Sequence, residues 1–139
     1  MGKREKLLLA SAIAGMAIAQ AGTTVIHSMG YMLTLNWGTD HGRATGLFMK
    51  SFLSWCREKE QELRKAPSQV ASRIPGLCAA LGMDLEPFFD ILDKLLGQRE
   101  KASEKELCAW GAQPMKNAAN TYIQPNQEEV ARMFRESVG

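Results

Sequence analysis

The stretch Gly15–Gly46, GMAIAQAGTTVIHSMGYMLTLNWGTDHGRATG, holds both histidines of the 139-residue chain, His27 and His41. It continues a segment, Lys3 to Gln20, in which Leu7, Leu8, Leu9, Ile13 and Ile18 alternate with alanines and leave almost no polar face. A helix apolar all round belongs at the centre of a bundle. The small residues Ala10, Ala14, Gly15 and Ala17 would let another helix approach it closely. Gly22 and the Thr23–Thr24 pair interrupt the segment. An apolar repeat resumes over Val25 to Leu35, where Ile26, Met29, Met32, Leu33 and Leu35 read as largely buried. Asn36 to Asp40 reads as a loop from its turn residues. Ala44, Leu47, Phe48, Phe52 and Trp55 then recur at three- and four-residue spacing, which predicts one long helix from His41 to about Lys65. His27 thus lies inside one helix and His41 at the mouth of the next, where two side chains can point at the same space.

Outward from that stretch the helical pattern persists. Arg57 to Lys65 is a charge run whose i,i+4 pairs read as a solvated helix end. Pro67-Ser68 opens the next helix, with Ser68 as N-cap and a stripe of Val70, Ile74, Leu77, Cys78 and Leu81. Pro75 should kink or split it, and Gly82 closes it. Asp84 caps a short helix with Phe88, Ile91, Leu92, Leu95 and Leu96 inward. Ser103 to Glu106 is a capping box that opens a helix carrying Leu107, Cys108 and Met115, weakened at Pro114. Residues 117–124 are polar and irregular. Asn126 to Glu129 starts a last amphipathic helix ending near Val138. No stretch reads as a strand, so the expected fold class is all-α, a single helical domain over residues 1–139.

Composition narrows the function classes. Hydrophobic content of 45% is ordinary for a globular core, and a net charge of +2 with interleaved acids gives no nucleic-acid footprint. Cys56, Cys78 and Cys108 are odd in number and form no C-x-x-C pair, which supports neither a zinc ribbon nor a disulfide framework. Three free thiols fit a reducing cytoplasm. The basic start, the apolar run and Ala19-Gln20-Ala21 also imitate a secretory signal, a competing reading that N-terminal sequencing separates. Gln20 and the threonine pair break the run short of a membrane span. A lone histidine on an apolar face reads equally as a hydrogen-bonded core residue, so the spacing of His27 and His41 carries little by itself.

The surrounding letters carry more. Ala10-Ser11-x-x-Ala14-Gly15-Met16-Ala17, then His27-Ser-Met-Gly-Tyr31, then His41-Gly-Arg-Ala44 resembles the C-terminal half of the iron-containing (group III) alcohol dehydrogenases. The likeness begins at Arg4-Glu5-Lys6, which argues against a cleaved signal, and runs to Asn126-Gln-Glu-Glu-Val130. It implies an all-helical bundle in which His27 and His41 bind the catalytic divalent metal, Fe(II) or Zn. It also implies a small alcohol or aldehyde as substrate, NAD or NADP as hydride acceptor and a homo-oligomer, with neither nucleic acid nor membrane as partner. The family's nucleotide-binding domain, and an Asp and a His that complete the metal shell, lie upstream of anything matched in this sequence. The resemblance therefore implies a fragment inactive by itself. A non-catalytic helical scaffold or partner-binding domain of the same fold is the alternative.

One family position departs. Its middle histidine, four residues after the first, is Tyr31 here. A tyrosine there is a candidate catalytic residue, donating a hydrogen bond or relaying a proton, or else a packed aromatic. A phenol of ordinary pKa about 10 is no base at pH 7. Trp37, Asn117 and Asn120 are candidate substrate-pocket residues, with packing the competing reading for Trp37. Asp40, beside His41, fits an N-cap better than a third ligand. The cysteines read as small core hydrophobes.

Overall fold

Glycines in the left-handed region mark where this chain stops its helices. The computed structural model describes residues 2–64, 73–113 and 115–139. Its elements are α1 (Lys3–Ala21), α2 (Val25–Trp37), α3 (His41–Leu47), α4 (Met49–Arg64), α5 (Ile74–Leu81), α6 (Leu85–Leu96), α7 (Glu104–Gly111) and α8 (Gln127–Val138). A 3-10 turn, Ala118–Asn120, precedes α8. Among the described residues there is no strand, so the all-α expectation holds. Gly22 at φ 71°, Gly38 at φ 68° and Gly82 at φ 68° follow α1, α2 and α5.

The core forms where α4, α7 and α8 meet the α2–α3 pair. Phe48 packs edge-on against Phe134 with centroids 5.1 Å apart, and Trp110 lies 5.8 Å from Phe134. Phe48, Trp55, Met133 and Phe134 are essentially inaccessible. The capping boxes at Ser103/Glu106 and Asn126/Glu129 both form and set the starts of α7 and α8. Ser51 on α4 and Ser137 on α8 share a buried hydrogen bond of 2.7 Å, which satisfies both hydroxyls inside that contact.

Several expectations need correction. The long helix from His41 breaks at Phe48, whose N–H bonds back to Thr45 in a tight turn. Gly42 and Gly46 weaken α3, and the break lets Phe48 enter the core. Pro75 falls in the first turn of α5, where no N–H is needed, and the stretch before Arg73 that it was expected to kink or split from α5 lies outside the described residues. Ser68, Val70, Lys65 and Pro114 lie outside the described residues. On α6 the stripe Leu85, Phe89, Leu92 and Leu96 faces inward, and it leaves Ile91 at 41% and Leu95 at 77% exposure. Leu35 is also exposed, pointing away from the Met29–Leu33 face of α2. Cys108 is exposed rather than a core residue.

The charge run after Arg57 is not wholly solvated. Glu60 is buried, and its carboxylate accepts from the N–H groups of Arg73 and Ile74 and from the Tyr122 hydroxyl at 2.6 Å. Those donors offset the cost of burying a carboxylate and fix the start of α5 on α4.

The largest correction concerns α1. The sequence places it at the centre of a bundle, yet none of its residues is buried. Gly22 turns the chain so that α1 and α2 meet at 111°. The joint is then held from outside. Asn117 Nδ2 donates to Thr23 Oγ1 at 2.7 Å, Asn120 Nδ2 donates to the Thr23 carbonyl at 3.2 Å, and Val25 N–H donates to Thr121 Oγ1. No single described helix is long and apolar enough to cross a membrane, although the bent α1–α2 pair reaches that length and composition.

Candidate metal centre

His27 is in the first turn of α2, and His41 is the first residue of α3. The two helices return alongside one another at an unusually close crossing. Gly30 makes this possible, because a Cβ there would lie 2.7 Å from Thr45 Oγ1 and 3.2 Å from the Thr45 Cα. Arg43 anchors the other side of α3 by donating to the carbonyls of Leu96 and Gln98 at the C-terminal end of α6. A cation at a helix C-terminus is a favourable partner for those unpaired carbonyls.

This crossing brings the two imidazoles together. His27 Nδ1 and His41 Nε2 are 3.2 Å apart, with ring centroids 4.5 Å apart and planes at 84°. Tyr31, one turn after His27, completes a trio. Its hydroxyl is 3.2 Å from His27 Nε2, and its ring stacks on His41 with centroids 4.8 Å apart. Burial first, and then the charge of His41, hold His27 below the ordinary imidazole value, so it favours the neutral form. Among the described residues His41 Nδ1 is buried without a hydrogen-bond partner.

The separation tests whether a metal fits. Two nitrogens bound at about 2.0–2.1 Å in a tetrahedral or slightly compressed site lie roughly 3.2–3.4 Å apart. The 3.2 Å between His27 Nδ1 and His41 Nε2 falls within that range. With both nitrogens unprotonated, His27 Nε2–H is left to donate to Tyr31 Oη. A ligating histidine ordinarily makes such an outer bond, which fixes its tautomer. The donor set thus fits two positions of a shell. Among the described residues no group of three or more His, Cys, Asp and Glu side chains completes it. Asp40 precedes α3 at the N-cap position but accepts no side-chain capping bond.

The remaining expected site residues make their own contacts. Trp37 Nε1 donates to Glu106 Oε1 at 3.0 Å, and its ring packs edge-on against Trp110, which ties the end of α2 to α7. Asn117 and Asn120 hold Thr23 at the α1–α2 joint. Gly30 and Thr45 were not singled out from the sequence. The only signal was a small residue three positions after His27. Burial pushes the Cys56 thiol up to about 12, which keeps it protonated and inert as a nucleophile. A separate polar cavity of about 490 Å³ includes Lys50, Asp93, Arg99 and Glu136 but none of the trio, and Lys50 and Arg99 both pair with Asp93.

Searches of curated proteins and of solved structures returned no match. The family model described as Fe-containing alcohol dehydrogenase family, C-terminal, matches residues 1–138. With an all-helical fold and a match across nearly its whole length, the chain belongs to the Fe-containing alcohol dehydrogenase family, as its C-terminal domain.

Proposed function

We propose that residues 1–139 form the metal-binding domain of a metal-dependent, NAD(P)-linked alcohol dehydrogenase, with His27 and His41 supplying two ligands to Fe(II) or Zn. The observation that carries this reading is the 3.2 Å approach of His27 Nδ1 to His41 Nε2. A divalent ion held there supplies a Lewis acid that favours the alkoxide form of a bound alcohol. The chain's own residues do the rest of the local work. His27 and His41 present one ring nitrogen each, and Tyr31 orients His27 through its outer nitrogen. Tyr31 also puts a hydroxyl beside the pair, where it can hold a substrate oxygen or pass on a proton.

Two imidazoles are half of a usual four-ligand shell, and the sequence has no G-x-G-x-x-G after a strand. The reading therefore assigns the other ligands and the dinucleotide site to a nucleotide-binding half outside this sequence, and gives this chain no turnover of its own. It places the protein in the cytoplasm, in keeping with three unpaired thiols.

Titration of metal-free protein with Co(II) and Zn(II) tests the assignment. Weak binding that His27→Ala and His41→Ala each abolish, with the helical circular dichroism unchanged, is the expected result. Binding indifferent to both substitutions would overturn it. Tyr31 at the family's middle-histidine position favours one second reading, a non-catalytic scaffold. An intact fold with no measurable affinity for either ion would select that reading.

A further inference from the structure

We propose that Thr121 is a positioning residue for His27: from the segment between α7 and α8 it caps the first turn of α2 and so sets where the His27 ring stands. The consequence for metal affinity rests on the proposed function, whereas the placement of the ring does not.

The first N–H groups of a helix have no partner within it, and a side chain at the N-cap ordinarily serves one of them. Thr24 holds the N-cap position of α2 with extended backbone, yet its side chain makes no capping bond. The acceptor comes instead from 96 positions along the chain, where Thr121 Oγ1 accepts from the Val25 N–H at 3.2 Å. Val25 is inaccessible and Thr121 is 5% exposed, so water cannot stand in for that hydroxyl.

His27 is the third residue of α2, in the same turn as Val25. Its own N–H goes to the Thr24 carbonyl at 3.1 Å, a bond over three residues rather than four. A tight first turn of this kind is where a helix frays. Unwinding it would carry His27 away, while Arg43 keeps α3, and His41 with it, tied to the end of α6. The 3.2 Å between His27 Nδ1 and His41 Nε2 therefore depends on both helix starts, and Thr121 governs one of them.

Thr121 can act as a fixed point because its neighbours are pinned. Tyr122 donates its hydroxyl to the buried Glu60 carboxylate at 2.6 Å, and the Arg73 guanidinium lies over its ring at 5.1 Å. On the other side, Asn117 Nδ2 and Asn120 Nδ2 donate to the Thr23 hydroxyl and carbonyl. Gly22 leaves room for this approach, since a Cβ there would stand 2.8 Å from Asn120 Nδ2. The segment is thus tied to α4 through Tyr122, and it delivers a hydroxyl on a stiff, β-branched side chain to the start of α2.

Nuclear magnetic resonance of the metal-free full chain and a Co(II) titration test the proposal on the wild type and three variants. Thr121→Val keeps the shape and removes the acceptor. It should speed exchange of the Val25 amide about tenfold or more, weaken the ring-to-ring Overhauser contact between His27 and His41, and lower Co(II) affinity about tenfold. Thr121→Ser restores the hydroxyl and should return all three to within about threefold of the wild type. Asn126→Ala removes the cap of α8, away from the pair, and should leave ring contact and affinity within about threefold although it too lowers stability. An unprotected Val25 amide in the wild type would by itself overturn the proposal. So would wild-type ring contact and affinity in Thr121→Val, or equal losses in Thr121→Val and Asn126→Ala, which would report general loosening. Ring contact that follows Thr121 in a chain with no affinity for Co(II) would uphold the placement of His27 and defeat the metal reading alone.

Discussion

Replacing Gly30 by alanine perturbs the contact that sets the distance between the two histidines. The new Cβ would stand 2.7 Å from Thr45 Oγ1 and 3.2 Å from both the Thr45 Cα and N. The hydroxyl can rotate away, but the backbone atoms cannot. Optimal carbon contact lies near about 3.5 Å, so α2 and α3 must part by roughly 0.3–0.5 Å. Overpacking of this kind costs about 1–3 kcal/mol, and the better helix propensity of alanine returns about 1 kcal/mol. The expected net loss is about 0–2 kcal/mol, a fall in Tm of no more than roughly 8 °C. The consequence at the site should be larger in relative terms. His27 is about one turn before Gly30, and His41 about one turn before Thr45, so the parting widens the 3.2 Å gap. Metal affinity should drop about tenfold or more, the scale at which outer-shell changes act. Thermal melting and a Co(II) titration of Gly30→Ala measure both. Affinity equal to wild type would refute the idea that this crossing positions the imidazoles.

Glu60→Ala removes the acceptor shared by the Arg73 and Ile74 N–H groups and the Tyr122 hydroxyl, and should cost about 3–5 kcal/mol in urea unfolding. A loss below about 1 kcal/mol would show that this buried carboxylate does not hold α5. The Asp93 carboxyl is held below the usual carboxylate range, first by the hydrogen bond from Lys50 and then by the charge of Arg99. Because the folded value is the lower one, its stabilisation is present above about pH 4 and is lost as pH falls through the lowered value. The pairs are partly exposed, so Asp93→Asn should cost no more than about 1 kcal/mol at pH 6, and less at pH 3. A cost that grows on acidification would contradict the assignment.

The bundle was legible because its helices carry clean three- and four-residue stripes between capping boxes at Ser103 and Asn126 that do form. The histidine pair was legible from family spacing, since no local physics links residues fourteen positions apart. Periodicity records which surface asks for cover, not whether cover arrives. That is why α1 read as central and stands exposed. The break at Phe48 was hidden because α3 and α4 share one continuous apolar stripe. Glu60 was hidden for a different reason. Its partners Arg73, Ile74 and Tyr122 lie far along the chain, and only the tertiary fold delivers them. Trp37, Asn117 and Asn120 look like pocket residues in a list of polar and aromatic letters. Their hydrogen bonds to Glu106 and Thr23 fix where these side chains stand, which the letters do not show.

The central claim is that His27 and His41 hold one metal ion between them. Anomalous diffraction from crystals of the Zn(II)-loaded chain tests it most directly. The account predicts a single strong peak about 2.0–2.1 Å from one nitrogen of each ring, with the Tyr31 hydroxyl on the outer nitrogen of His27. A peak bound to only one of the two histidines, or zinc seated elsewhere while the pair keeps its direct 3.2 Å contact, would contradict it.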